Sequence, residues 1–119
     1  MRPQSSGFTL IELLISISII GILTASLLPN LVFARTKATE TVTKAFLRQV
    51  ATEQVSHFMN NGEYASSVSS LDNSPNIPAN IVLLSEKGDK SNFCVAAQHS
   101  GGTILSITTN GSFVKGSCS

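Results

Sequence analysis

The chain has 119 residues, of which 42% are hydrophobic and 13% charged, with a formal net charge of +1. That length allows one domain with a modest core. The near-neutral balance excludes the broad basic field of a dedicated nucleic-acid binder, so nucleic acid is a possible partner that nothing indicates.

Met1 to Gly7 is short and polar, with Arg2 as its only charged side chain. The next stretch, FTLIELLISISIIGILTASLL, ends at Pro29. As an α-helix, Phe8 to Leu28 rises about 31 Å, which matches a hydrocarbon core of ~30 Å. A conventional secretory signal would have a shorter apolar run and a small-residue cleavage site. Ala25-Ser26 is instead followed by Leu27, Leu28 and Pro29. Glu12 is the one charge inside the run. A carboxylate there costs several kcal/mol unless it reaches water or a partner. It either snorkels to the interface or waits for a cation from another subunit.

The segment Gly7-Phe8-Thr9-Leu10-Ile11-Glu12 resembles the prepilin signature of type IV pilins and type II secretion pseudopilins. The resemblance covers residues 7 to 35. It implies leader cleavage between Gly7 and Phe8 by a prepilin peptidase on the cytoplasmic side, with N-methylation of Phe8. Glu12 then becomes the fifth mature residue, where the family has its glutamate. Gly21 and Pro29 match places of a helix-weakening glycine and proline. Pairing of Glu12 with the new Phe8 amine, in its own chain or a neighbour's, would penalise a subunit seated out of register. The positive-inside count does not fix orientation, since Arg2 is outweighed by Arg35 and Lys37 at the other end. The resemblance places the N-terminus inside.

Pro29, lacking an N–H, should kink or interrupt the helix. Helical spacing resumes with Val42, Phe46, Val50 and with Leu47, Ala51, Val55, Phe58. Arg35 and Glu53 fall off that stripe, while Lys44 and Arg48 lie at its edge. Between residues 30 and 50, Arg35, Lys37, Lys44 and Arg48 face Glu40 alone. That is a solvated helix face or a contact for phosphates or headgroups. Asn61-Gly62 reads as the helix stop. Phe8 to Asn60 would then run roughly 80 Å.

Residues 62 to 80, rich in Ser, Asn and Pro, read as a long surface loop. Strand signals follow at Ile81–Ser85, Phe93–His99, Thr103–Thr108 and Ser112–Lys115. Ser100-Gly101-Gly102 and Asn110-Gly111 supply the turns. Cys94 and Cys118 are the only cysteines. An even count beyond a membrane segment predicts one disulfide. It closes a loop of about 25 residues, worth roughly 3.5 kcal/mol in the chain-entropy model. The stretch between them resembles the disulfide-bounded region common in the family.

Other chemistry finds little footing. His57 and His99 with Cys94 and Cys118 have no close ligand pair for zinc. Asp72 and Asp89 are isolated acids without an EF-hand pattern. Major pseudopilins usually carry a calcium site in their terminal loop and often lack the disulfide. Asn110-Gly111-Ser112 fits a glycosylation triplet that the tight turn explains better. No catalytic order or phosphate loop is visible, and no cofactor or metal is expected.

The expectation is an α+β chain with the type IV pilin fold. Its parts are a cleaved leader (1–7), a transmembrane and assembly segment (8–29), an amphipathic half-helix (30–61), and a four-stranded antiparallel head (62–119). The resemblance implies a non-enzymatic, structural subunit. It would be held in the inner membrane and then polymerised by pilus machinery into a surface filament for motility, adhesion or DNA uptake. A major subunit is favoured, because the domain is small and plain. The alternatives are a pseudopilin of a secretion or DNA-uptake system and, from another class, a membrane-tethered enzyme or binding module.

Overall fold

The computed structural model describes residues 3, 4 and 6–119. Arg2, the leader's only charged side chain, lies outside the described residues. The chain divides into two compact units, Met1–Arg35 and Thr36–Ser119.

Helix α1 spans Leu10–Asn61. The helix continues through Gly21 and Pro29, so the expected interruption at Pro29 is absent. Proline removes one i→i−4 bond, and the ladder on either side of it can still close. Within the first unit, Ile and Leu are exposed all round the helix. The helix stops as expected. Gly62 takes a φ of 76°, and its N–H donates to the Phe58 carbonyl at 2.8 Å.

In the second unit the buried helical residues are Glu40, Thr43, Phe46, Leu47, Val50 and Gln54. Thr43, Leu47, Val50 and Gln54 recur at spacings of four, three and four, one face of a 3.6-residue helix. Val42 and Val55, expected on the apolar stripe, are exposed instead. The stripe is narrower than hydrophobicity alone suggests, because polar partners claim part of it.

The sheet is an antiparallel meander of order β1-β2-β3-β4, with β1 at Ile81–Gly88, β2 at Phe93–His99, β3 at Ile104–Thr108 and β4 at Phe113–Lys115. Strand β1 is longer than the sequence suggests. Glu86, Lys87 and Gly88 pair with Val95, Cys94 and Phe93, with a register shift between Leu83 and Ser85. The bulge keeps the strand paired beyond its apolar part. Alternation puts Phe93, Val95 and Ala97 of β2 and Leu105 and Ile107 of β3 in the core with Phe46, Leu47 and Val50.

The segment 62–80 departs most from expectation. It holds a 3-10 turn at Val68–Ser70 and contributes Ala65, Val68 and Leu71 to the core. Four bonds tie it down. Gln54 Nε2 donates to the Ala65 carbonyl at 2.9 Å, and the Ala65 N–H donates to Gln54 Oε1 at 2.8 Å. The Val68 N–H donates to Glu86 Oε1 at 2.6 Å, and the Tyr64 N–H to the Asp89 carbonyl at 2.9 Å. It is a packed part of the head, not a free surface loop.

Candidate assembly segment and head

The sequence FTLIE positions its glutamate through a local device. Thr9 precedes the first helical residue, and Glu12 is the third residue of the helix. Both the Thr9 N–H and the Thr9 hydroxyl donate to Glu12 Oε2, at 2.8 and 2.9 Å. In return, the Glu12 N–H donates to Thr9 Oγ1 at 3.3 Å. This reciprocal T-x-x-E arrangement is a capping box. The carboxylate inside the apolar run therefore already has donors in the single subunit. The pattern is visible in the sequence, where the oddity of a charge among apolar residues obscures it.

The hydroxyls within the same run are also satisfied. Those of Ser16, Ser18, Thr24 and Ser26 donate to the carbonyls of Glu12, Leu14, Ile20 and Ile22 at 2.7–3.2 Å. Back-bonding of this kind lets hydroxyls sit in hydrocarbon with no unpaired donor. What the helix presents outward is thus apolar. Thr24, Leu27, Leu28, Asn30, Leu31 and Ala34 border a shallow groove of about 560 Å³. Phe8 is 80% exposed and Gly7 is exposed, so both sides of the Gly7–Phe8 bond are accessible.

In the head, Cys94 and Cys118 are joined by a disulfide. Cys94 lies on the sheet face away from α1, opposite in phase to Phe93 and Val95. The crosslink holds the C-terminal tail to that face, and the Gly116 N–H donates to the Ile104 carbonyl at 3.0 Å. Both thiols are consumed, so neither can ligate a metal in this state. His57 is turned to Asp72, Nδ1 to Oδ2 3.4 Å. His99, at the far end of β2, has a buried Nδ1 with no protein partner. The two histidines and the cysteine pair form no common site.

The turns follow glycine chemistry. Gly101 and Gly111 have φ of 68° and 72°, and the N–H groups of Gly102 and Gly111 close the turns onto the carbonyls of His99 and Thr108. Asp89 organises the β1–β2 turn, with Oδ1 accepting from the N–H groups of Ser91 and Asn92 at 2.6 and 2.8 Å. Those two backbone donors hold its carboxyl below the usual carboxylate range.

Three polar contacts were not foreseen from the sequence, those of Gln54, of Glu86 and of Glu40. Glu40 is nearly buried, accepts from Thr103 Oγ1 at 3.2 Å and lies 3.9 Å from Lys37 Nζ. Its partner is 63 residues away, beyond the reach of any local pattern.

Residues 2–28 match the family model of the prokaryotic N-terminal methylation motif. The chain is 40% identical over 108 residues to the type IV wide pilus major component of Thermus thermophilus, covering 89% of this chain and 82% of the relative. The chain belongs to the type IV pilin family. It is also 30% identical over 96 residues to the type IV major pilin protein of Myxococcus xanthus, across 81% of this chain and 39% of that one. Similarity extends to the type II secretion system core protein G of Pseudomonas aeruginosa, at 34% over 71 residues, 60% of this chain and 50% of the other. As a pilin, the chain pairs an apolar helical segment with a disulfide-closed head on one polypeptide.

Proposed function

We propose that this pilin is a structural subunit of a type IV pilus, made as a prepilin and polymerised through its apolar helix. In this reading a prepilin peptidase removes residues 1–7 by cutting after Gly7, and Phe8 is N-methylated. Residues 8–29 hold the subunit in the inner membrane, and pilus machinery then moves it into a filament at the cell surface. Glu12 exchanges its contact with Thr9 for the Phe8 amine of its own or a neighbouring chain, and so sets register.

The observation that carries the reading is the outward character of the helix. Its apolar residues between Phe8 and Phe33 are more than half exposed, with Glu12 the only charge up to Ala34. A helix greasy on every side needs lipid or other helices around it. A filament supplies the second environment after the membrane supplies the first. The small head and the similarity to a wide-pilus major component favour a major subunit. The core protein G relative keeps a pseudopilin as a second reading, and the disulfide-closed C-terminus weighs against it. Negative-stain microscopy of sheared surface filaments, with intact-mass analysis of their main protein, tests both. The expected mass is that of a methylated chain starting at Phe8. Filaments that lack this chain, or that contain it with Met1 to Gly7 retained, would refute the reading.

A further inference from the structure

One histidine of the head sits between two groups that require opposite protonation states of it. His57 lies on α1, one turn before the helix ends at Asn61. Its side chain is 15% exposed, and Nδ1 is 3.4 Å from Asp72 Oδ2. The Asn61 amide nitrogen lies against the same ring, 3.1 Å from Nδ1 and 3.5 Å from Nε2, and also donates to the His57 carbonyl at 3.2 Å. An amide N–H is a donor and needs an acceptor, whereas a carboxylate is an acceptor and needs a donor. The neutral ring keeps one acceptor nitrogen and suits Asn61. The imidazolium has two N–H donors, so it suits Asp72 and turns the Asn61 amide nitrogen away.

The other charged groups around this ring are acids. On α1 itself, Glu53 stands one turn earlier, at the i−4 position. The segment 62–80 brings Asp72 and Glu63, and the β1–β2 turn brings Asp89. Glu63 and Asp89 border with His57 a hollow of about 280 Å³. Among the described residues that border it there is no Lys or Arg. Two backbone donors hold the Asp89 carboxyl below its ordinary range, so it stays charged wherever an imidazole titrates. Asp72 directly follows Leu71, a residue of the core, and its Oδ2 also accepts from Asn60 Nδ2 at 3.4 Å. A contact from His57 to Asp72 therefore ties the end of α1 to the segment that carries Ala65, Val68 and Leu71 into the core.

We infer that His57 and Asp72 form a proton-operated latch between α1 and the segment 62–80, closed when the ring is charged and loosened when it is neutral. Imidazoles change charge between about pH 5 and 8, where carboxylates are already ionised. Among the groups named here, the ring is thus the one that changes charge in that window. Closing the latch exchanges the Asn61 contact for a charge-assisted hydrogen bond to Asp72. The negative end of the helix dipole lies one turn away and acts in the same direction. The ties that Gln54 and Glu86 make to the segment hold at either end of the window. The extra hold from His57 is present at its acid end and is lost as pH rises through it. This latch needs neither lipid nor a second subunit, so it stands independently of the assembly reading.

The test is amide hydrogen exchange of the full chain in detergent at about pH 5.5 and about pH 7.5, two points inside the imidazole window. Each rate is divided into that of an unstructured peptide at the same pH, which gives a protection factor. The probes are the N–H groups of Tyr64, Ala65 and Val68, which donate to the Asp89 carbonyl, to Gln54 and to Glu86. Their protection should be about threefold higher at the acid pH, the scale of a partly exposed ion pair. His57→Gln and Asp72→Asn should each abolish that difference, and His99→Gln should leave it intact. At the higher pH the latch is open in every chain, so variants that match the parent there have kept the fold. Equal protection at the two pH values in the parent, or lower protection at the acid one, overturns the inference. A difference that survives His57→Gln overturns it as well. A difference lost in His57→Gln but kept in Asp72→Asn overturns the pairing, in favour of Glu63 or Asp89 as the carboxylate that holds the ring.

Discussion

Replacing Gln54 probes how the head is held together. The side chain is fully buried and makes two bonds to one peptide segment, donating to the Ala65 carbonyl and accepting from its N–H. Gln54→Leu keeps roughly the volume and removes both. The Ala65 N–H and C=O then remain buried at about 1–3 kcal/mol each. Leucine returns about 1–2 kcal/mol through its larger apolar surface. At the middle of those ranges the net loss is about 2.5 kcal/mol, a large part of the 5–15 kcal/mol that holds a typical domain. Close packing leaves the loop little room to move away, since a Cβ at Gly88 would already overlap the Ala65 carbonyl. The assay is urea unfolding of the full chain in detergent, followed by Tyr64. That residue is the only tyrosine, is stacked on Phe58 at 4.6 Å and immediately precedes Ala65. Gln54→Glu refines the test. A neutral carboxyl can both donate and accept at Ala65, whereas a carboxylate cannot donate, so burial and the facing carbonyl raise its folded pKa. Stability of this variant should be fullest below the unfolded value of ~4.3 and fall as pH rises through the raised folded value. Gln54→Leu within about 0.5 kcal/mol of the parent, or a glutamate variant indifferent to pH, would refute the reasoning.

Three further outcomes are expected. Glu12→Ala should leave a processed, membrane-resident subunit that assembles poorly. Glu12→Gln, which keeps the capping box but not the charge, should be intermediate. Thr9→Ala, which breaks the box and keeps the charge, should assemble well, and normal filament yield from Glu12→Ala would show the carboxylate to be a snorkelling interface residue. Cys118→Ser should lower the stability of the head by roughly 2–5 kcal/mol in the same urea assay, and non-reducing peptide mapping of the parent should recover Cys94 joined to Cys118. Asp89 has a lowered folded pKa, so its contribution is present above the unfolded value of ~3.9 and is lost as pH falls through the lower folded one. An acid titration should therefore show a loss of stability below about pH 4 that Asp89→Asn flattens.

The parts of this fold that could be read from the sequence are those whose causes are local. Ser100-Gly101-Gly102 and Asn110-Gly111 demand positive φ, and they turn the chain where expected. The apolar run, its glutamate and the preceding glycine are contiguous, and the strongest part of the family resemblance lies in them. Features fixed by distant partners were not legible. Ser, Asn and Pro make residues 62 to 80 look like solvent-facing loop, yet four side chains among them, Ala65, Val68, Leu71 and Pro75, are buried. Nothing in their spacing announces it, because the backbone there is held by Gln54 and Glu86, 11 and 18 residues from their partners. The charged end of β1 has weak strand character and is a strand only because β2 offers it a register.

Glu12 shows why the local and the distant readings need each other. Alone, the subunit gives its carboxylate two donors from Thr9, so burial of the charge is already partly compensated before assembly. On the proposed register role, a neighbouring amine must compete with an existing contact and not merely rescue an orphaned charge. The energy separating correct from incorrect register is then the difference between two bonded states, smaller than the full cost of an unpaired carboxylate. Assembly controlled by such a difference is correctable. A subunit in the wrong register keeps its capping box and can withdraw intact, whereas one in the right register exchanges it for the stronger ionic contact.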